Sequence, residues 1–569
     1  MRFKILSLIL AFLFLFLFFS LVYIQLIRGG YYYELGERNH IRLIEWDAMR
    51  GRIFDRNGKI LADSKLTFDI VVIPQDFQDK NLRRLSEILN TDVDKLKKKI
   101  KSKYLSPFSP IVIKENASKT EALLIEQEKL DLSGVMVQIQ PKRYYPNYSA
   151  GANILGYVGL IDRSKITKLK NYGYKIQDIV GYSGIEEYYD ISLRGENGGI
   201  QVEVDNRGRQ KGVLGIRPTI KGKDIVLTVD SRIQNKAAEL LADRRGAIVM
   251  MQPYTGEILC MVSSPSYDPN IFTVGNSSTE IKRILNDYRS PMLNRAISSS
   301  FAPGSVFKIV TAVAALETKK ATANTSFVCN GSLRVGNRNF VCWETHGLQN
   351  FMQAITHSCN VYFYSIGLLV GPDILTKYAK EFGLGSKTQI DLPSEEKGDI
   401  PDRMLRKLKR KEDWYKGDTA NFSIGQGEVL ITPLQATRLV ASVANGGLLL
   451  KPYIVEYVAN EKTPKDRTSN KLPFKKANWE LIKISLRKVV EADSGTAHTL
   501  GLDNLKVAGK TGTAQASSGK NHAWFVGFCP ADKPKIAFCV FLEYGGSSHN
   551  AVLVAEELLQ FMSSEGMLN

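Results

Sequence analysis

Hydrophobic positions change their spacing twice along this chain, and each change marks a different kind of segment. From residue 5 to 27 they are nearly continuous: ILSLILAFLFLFLFFSLVYIQLI contains no charge. At about 1.5 Å per residue a helix of that run reaches roughly 35 Å, enough to cross a hydrocarbon core with some tilt. Arg2, Lys4 and the free amine precede it, so the positive-inside tendency puts residues 1–4 in the cytoplasm. The run is too long for a secretory leader and no A-x-A-like site follows it. An uncleaved, single-pass anchor in the cytoplasmic (inner) membrane is expected, with everything beyond residue 27 outside, on the periplasmic side.

Between 28 and 220 the apolar residues become periodic. Leu82, Leu85, Ile88 and Leu89 recur at helical spacing, as do Val93, Leu96 and Ile100 after Thr91, the expected N-cap. Nothing in 28–220 gathers a nucleophile, a base and an orienting group, so this stretch reads as a support. From 221 the pattern becomes strand, helix, strand: DIVLTVD, then a helix from Arg232 to about Asp243, then GAIVMMQPYTGEILCMV, two strands around a Pro-Tyr-Thr-Gly turn. Near the end, HAWFVGFCPADKPKIAFCVFLEY repeats that hairpin design. Strands at both ends of 221–569 with helices between them predict an α+β fold around an antiparallel sheet flanked by helices.

Composition narrows the partners. The chain is 44% hydrophobic and 24% charged with a net charge of +18, a globular balance that favours anionic surroundings. Outside the membrane those are an anionic cell envelope and lipid headgroups, and no nucleic acid is expected. The basic runs Arg403 to Lys411 and Lys97 to Lys99 read as solvated helical faces.

Candidate chemistry begins at FAPGSVFKIVTAVAALE. Pro303-Gly304 opens a helix, Ser305 falls in its first turn, and Lys308 stands three residues on, on the same face. A serine hydroxyl is a poor nucleophile until a neighbour removes its proton. A lysine titrating normally, near about 10.4, does this only if burial or cationic neighbours lower its pKa. S-x-x-K alone is weak: Ser394 to Lys397 and Ser517 to Lys520 match it too. Two distant companions select Ser305, namely Ser358-Cys359-Asn360 and Lys510-Thr511-Gly512-Thr513. S-x-N recurs at Ser548 to Asn550, but K-T-G occurs once. The ordered set S-x-x-K, S-x-N, K-T-G is the signature of penicillin-recognising serine acyltransferases.

With those motifs the chain resembles class B penicillin-binding proteins, most closely the penicillin-binding protein 2 type used in cell elongation. RGRIFDRNGKILA at 50–62, RYYPNYSAGANILGYVG at 143–159, GYSGIEEYYDISLRG at 181–195 and SPSYDPNIF at 264–272 look like that family's pedestal motifs. GDTANFSIGQGEVLITPLQ at 417–435 and KTGTAQ at 510–515 look like its transpeptidase motifs. The resemblance implies a pedestal over 28–220, of the penicillin-binding-protein dimerisation type, and a penicillin-recognising transpeptidase fold over 221–569. It implies a D,D-transpeptidase: Ser305 attacks the carbonyl between two D-alanines of a peptidoglycan stem peptide, and the acyl group passes to an amine on a neighbouring stem. Lys308 is the implied base, Ser358 and Asn360 its partners, Lys510 a positive charge, and Thr511, Gly512 and Thr513 the substrate-binding stretch. Backbone N–H groups of Ser305 and Thr513 form the implied oxyanion hole. β-Lactams would acylate Ser305, and a RodA-type glycan polymerase of the elongation machinery would dock on the pedestal and anchor. The alternatives are a septal class B enzyme, a hydrolase (D,D-carboxypeptidase or β-lactamase), or a scaffold that retains the fold without activity.

The six cysteines raise a separate question, since three of them, Cys329, Cys342 and Cys359, lie with His346 in the pattern C-x12-C-x3-H-x12-C. Three thiolates and one imidazole make a four-coordinate structural Zn²⁺ site, and the resemblance implies one beside the S-x-N motif. One structural zinc ion is therefore expected, with none needed for catalysis. A disulfide leaving an odd thiol, isolated buried cysteines, or His357 in place of His346 are the competing readings. Cys529 and Cys539 flank the terminal turn and are expected to be buried or, failing that, to pair across the hairpin.

Overall fold

The computed structural model describes residues 2–32, 41–104, 107, 110–176, 178–204, 210–242, 244–273, 278–463, 469–516 and 519–568. Its first element is the helix Arg2–Val22, continued by a wider turn over Tyr23–Ile27. The stretch Phe3–Ile27 is long and apolar enough to cross a membrane, and none of it is buried by protein.

The chain forms two compact units that interleave along the sequence. The first comprises Met1–Gly51, Ser64–Lys142 and Arg194–Gly222. In it, strands Ile41–Trp46, Gly198–Val204 and Gln210–Arg217 form an antiparallel sheet with Gly198–Val204 in the middle. Helix Asn81–Leu89 buries Leu82, Leu85, Ile88 and Leu89 in a separate small core with Leu96, Ile111 and Ile113, the stripe that the periodicity predicts. Each such side chain contributes about 1.5–3 kcal/mol on burial. The cap of the next helix, Val93–Ser102, is Asp92 rather than Thr91. The Asp92 carboxylate accepts from the N–H groups of Asp94 and Lys95, while the Thr91 hydroxyl turns back to the Leu89 carbonyl. A carboxylate one residue nearer the helix satisfies two free N–H groups and complements the dipole, which the threonine hydroxyl does not.

The second unit comprises Arg52–Asp63, Arg143–Leu193 and Lys223–Asn569. Its centre is a five-stranded antiparallel sheet in the order Ile258–Ser264, Gly246–Met251, Ile536–Leu542, Asn521–Cys529, Ala508–Gln515. The two hairpins read from sequence thus meet in one sheet, through the pairing of Gly246–Met251 with Ile536–Leu542. Every residue of those two strands is buried whichever way it points, so both faces of the sheet are covered. Helix Pro433–Ala444 packs on these two strands and helix Ser548–Ser564 on Asn521–Cys529. Cys260, Cys529 and Cys539 are buried free thiols in this sheet. The register sets Cys529 opposite Ile536 and Cys539 opposite Val526, so the two do not face each other.

The pedestal-like motifs fold into this second unit. Asp55, almost fully buried, accepts the N–H groups of Asn57, Lys59 and Ser231. It thereby fixes the start of helix Ser231–Leu241, which Asp230 caps. Arg143 donates to Glu186 at 2.6 Å with both side chains buried, joining the motif at 143–159 to that at 181–195. Asn270, from the motif at 264–272, clasps the backbone N–H and carbonyl of Tyr145.

Candidate active site

Ser305 lies in a tight 3-10 turn, Gly304–Phe307, and the α-helix proper, Lys308–Glu317, begins at the lysine. The expected continuous helix is therefore wound tighter at its start. Its neighbours dictate this. Gly304 has φ +53°, its N–H donates to the Gly425 carbonyl at 3.0 Å, and a Cβ on it would stand 2.6 Å from the Thr513 carbonyl oxygen. From the other side, a Cβ on Gly512 would stand 2.8 Å from the Pro303 carbonyl oxygen. Two glycines thus let the strand Ala508–Gln515 close on the turn that carries Ser305. Gly512, expected at the substrate, serves this contact.

A cleft of about 720 Å³ opens over the turn, and Ser305, Ser358, Asn360, Thr511 and Thr513 all line it. The Ser305 hydroxyl has no hydrogen-bond partner among the described residues. Lys308 is 1% exposed. Its amine donates to the Ser358 carbonyl at 2.8 Å, the Asn360 Oδ1 at 2.7 Å and the Ser358 hydroxyl at 3.2 Å. Burial pushes this amine down to about 7, partly offset by the nearby Cys342 and Cys359 thiols. Lys510 is fully buried, donates to the Thr511 carbonyl, and is pushed well below the usual lysine range first by burial and then by Lys308.

The S-x-N segment is a turn between two helices, Phe351–Thr356 and Asn360–Val370. Ser358 takes φ +52°, a left-handed conformation that returns the chain towards Lys308. Cys359 is the N-cap of the second helix, its sulfur accepting the Tyr362 N–H. Of the look-alike motifs, Ser394 lies in a loop that lines a different cavity, and Ser517 falls outside the described residues. Ser548 starts the last helix and, with His549, reaches the cleft rim.

Sequence reasoning passed over Thr496, which lines the cleft and sits 2.8 Å, oxygen to oxygen, from the Thr511 hydroxyl. The available signal was a repeated tripeptide: Gly-Thr-Ala stands at 495–497 and again at 512–514. Trp343 and Asn421, also on the cleft wall, carry no such mark.

Beside the S-x-N turn, ligand atoms of Cys329, Cys342, His346 and Cys359 lie within 4.8 Å of one another. His346 Nδ1 is 3.6 Å from the sulfurs of both Cys329 and Cys342. Tetrahedral zinc with bonds of about 2.3 Å to sulfur and about 2.0 Å to nitrogen sets nitrogen and sulfur donors roughly 3.5 Å apart, so the His346 spacings to Cys329 and Cys342 fit the ion. His346 Nε2 is buried with no hydrogen-bond partner among the described residues, so the ring has only thiols to address. Cys342 is held well below the usual thiol range by a hydrogen bond from Cys359 and by backbone N–H groups, and Cys359 is pushed up in return. His357 stays out of this group. Its Nδ1 meets the Gln349 Oε1 at 2.7 Å and its Nε2 the Ser494 hydroxyl at 3.0 Å.

Residues 246–560 match the family model of the penicillin binding protein transpeptidase domain, and residues 45–227 that of the penicillin-binding protein dimerisation domain. The peptidoglycan D,D-transpeptidase MrdA of Acinetobacter baumannii is 32% identical over 95% of this chain and 84% of its own. The Helicobacter pylori penicillin-binding protein PBP2, solved in complex with MreC, superposes with a TM-score of 0.82 at 28% identity, covering 93% of this chain and 99% of that one. A chain from a peptidoglycan synthase complex, solved to describe how polymerization and crosslinking are coordinated, superposes at 0.74 and 28% identity over 98% and 97%.

Proposed function

Because the chain belongs to the class B penicillin-binding proteins of the PBP2 (MrdA) type, serine D,D-transpeptidases that cross-link peptidoglycan in cell elongation, we propose how its residues divide that work. Ser305 is the nucleophile. Its oxygen bonds to the penultimate D-alanine carbonyl carbon while its proton passes to neutral Lys308. The tetrahedral intermediate collapses when the C–N bond breaks and the departing D-alanine amine takes that proton through the Ser358 hydroxyl. The amine of a second stem peptide then attacks the ester by the reverse route, restoring Ser305 and closing the cross-link. Asn360 holds Lys308 in place. The N–H groups of Ser305 and Thr513 receive the oxyanion, and Thr511 and Thr513 the terminal carboxylate. Two ammonium groups do not persist side by side in so dry a site; a neutral Lys308 removes its own opposition to a charge on Lys510, while burial still opposes that charge.

The observation that carries this reading is the convergence on one cleft of three segments far apart in sequence. Intact-mass spectrometry after penicillin treatment tests it: one stable adduct per chain, mapped to the peptide holding Ser305 and absent in Ser305→Ala. Rapid loss of the adduct would mark a hydrolase instead, and an adduct elsewhere would end the assignment.

Cys329, Cys342, His346 and Cys359 would hold one Zn²⁺, which supplies a structural cross-link and no chemistry of its own. Elemental analysis should find about one zinc per chain and less than about half in Cys359→Ser, with the melting temperature falling alongside. Native protein with little zinc would refute the site. Residues 5–27 would form the single-pass anchor with 1–4 in the cytoplasm, followed outside the membrane by the pedestal and the transpeptidase domain; the boundaries 28–220 and 221–569 expected from sequence shift, because 52–63 and 143–193 pack with the transpeptidase sheet. The pedestal and anchor are where a RodA-type glycan polymerase docks, a reading supported by the likeness to a synthase-complex chain.

A further inference from the structure

Side-chain hydrogen bonds lead from the cysteine-histidine loop through His357 to Ser494, and, two residues along the backbone, from Thr496 to Thr511, the second residue of the K-T-G motif. Gln349, 3% exposed, donates from Nε2 to the His346 carbonyl at 2.9 Å. That fixes its other atom as oxygen, an acceptor only, so the 2.7 Å contact to His357 Nδ1 requires the proton on Nδ1. His357 Nε2 then has only a lone pair to offer, and the Ser494 hydroxyl donates to it at 3.0 Å. Two residues beyond Ser494, the Thr496 hydroxyl meets that of Thr511 at 2.8 Å, while the Thr496 N–H is 3.4 Å from the Thr356 carbonyl. The backbone of His357 is also held, its carbonyl accepting the Trp343 indole N–H at 3.1 Å.

We propose that His357 is a positioning residue for carboxylate recognition: in its Nδ1–H form it pins the 494–496 loop through Ser494, so that Thr496 aims the Thr511 hydroxyl at the anionic end of the donor peptide. The inference rests on the reading of Thr511 as a carboxylate ligand. The pairing is asymmetric in a useful way. Ser494 is exposed and touches neither the nucleophile nor the cysteines, yet it is the link between His357 and the loop beside the K-T-G strand. Removing it loosens Thr496 without disturbing Lys308 or the S-x-N turn.

The test uses the full-length protein in detergent and two reporters, benzylpenicillin and its methyl ester, which lacks the anionic carboxylate. Time courses of the Ser305 adduct by intact mass give an acylation rate constant for each, and their ratio is the preference for the acid. His357→Phe and Ser494→Ala should each reduce that preference about tenfold, the size expected when a charge-assisted hydrogen bond is lost. The double variant should fall no further than either single one, since both break the same link. His357→Gln, which retains an acceptor for Ser494, should recover much of the loss. A preference within twofold of wild type in Ser494→Ala, or acid and ester slowed alike in both variants, overturns the proposal. If the wild-type protein forms no Ser305 adduct, the transpeptidase assignment itself fails; if it forms one and the ratio does not move, only the positioning role falls.

Discussion

Lys308 sits where its neutral form is favoured, walled in by protein, and its three acceptors fix where its nitrogen points. With its proton affinity lowered to about 7, the neutral form gains ground as pH rises. Acylation by penicillin should therefore climb about tenfold per pH unit below 7 and level off above roughly 8. Stopped-flow labelling between those limits measures this; a flat profile would mean that the amine is not the base. Stability follows the same sign. From about 7 up to the unfolded value near ~10.4 the native chain binds fewer protons at this site than the unfolded chain, so this lysine's contribution grows as pH rises and is smallest in acid. At this scale the sequence told much, because Ser305, Lys308, Ser358, Asn360, Lys510, Thr511 and Thr513 belong to motifs with fixed internal spacing. It named His357 only as an alternative zinc ligand and was silent on Ser494 and Thr496. Their partners are set by tertiary packing, with 137 positions separating His357 from Ser494, and no local pattern encodes such a pair.

Among the elements, the decisive contact is that of a strand with a turn. The hairpin of Asn521–Cys529 with Ile536–Leu542 was legible in the sequence, and Ala508–Gln515 pairs along its free side. That this strand then presses on Gly304–Phe307 was not, since the signal is only the absence of a side chain at two glycines. Gly304→Ala tests it. A methyl group there meets the Thr513 carbonyl oxygen at 2.6 Å on a backbone of positive φ, which should cost at least ~2 kcal/mol and push the strand away from Ser305. Thermal melting should show the loss in stability, and penicillin labelling should slow far more than the fall in folded fraction explains. An unchanged labelling rate would separate the glycine from the site. The same limit explains the miscast cap before Val93–Ser102: a threonine and an aspartate side by side compete, and only backbone geometry chooses between them.

For the molecule as a whole, the pattern of apolar residues gave the N-terminal helix long enough to cross a membrane and the two hairpins of the sheet. It did not reveal how the chain is threaded. The unit that holds the cleft takes in Arg52–Asp63 and Arg143–Leu193, and Ile53, Leu61, Tyr145, Ile154, Leu155 and Ile185 share one core with the five-stranded sheet. Such residues look, in a linear reading, like parts of a different domain, because contact over long stretches of chain leaves no periodic trace.

That threading makes the catalytic half poorly portable. Residues 221–569 expressed by themselves lack seven large apolar side chains of that core, those six and Leu193. At about 1.5–3 kcal/mol for each, the deficit rivals the net stability of an ordinary domain. The fragment should aggregate or fail to bind penicillin, whereas a chain that retains 52–63 and 143–193 should do neither, as size-exclusion chromatography with fluorescent penicillin would reveal. Gene fusions that exchange this enzyme's halves at one junction would then yield insoluble hybrids, so its lineage is expected to travel as an undivided cassette.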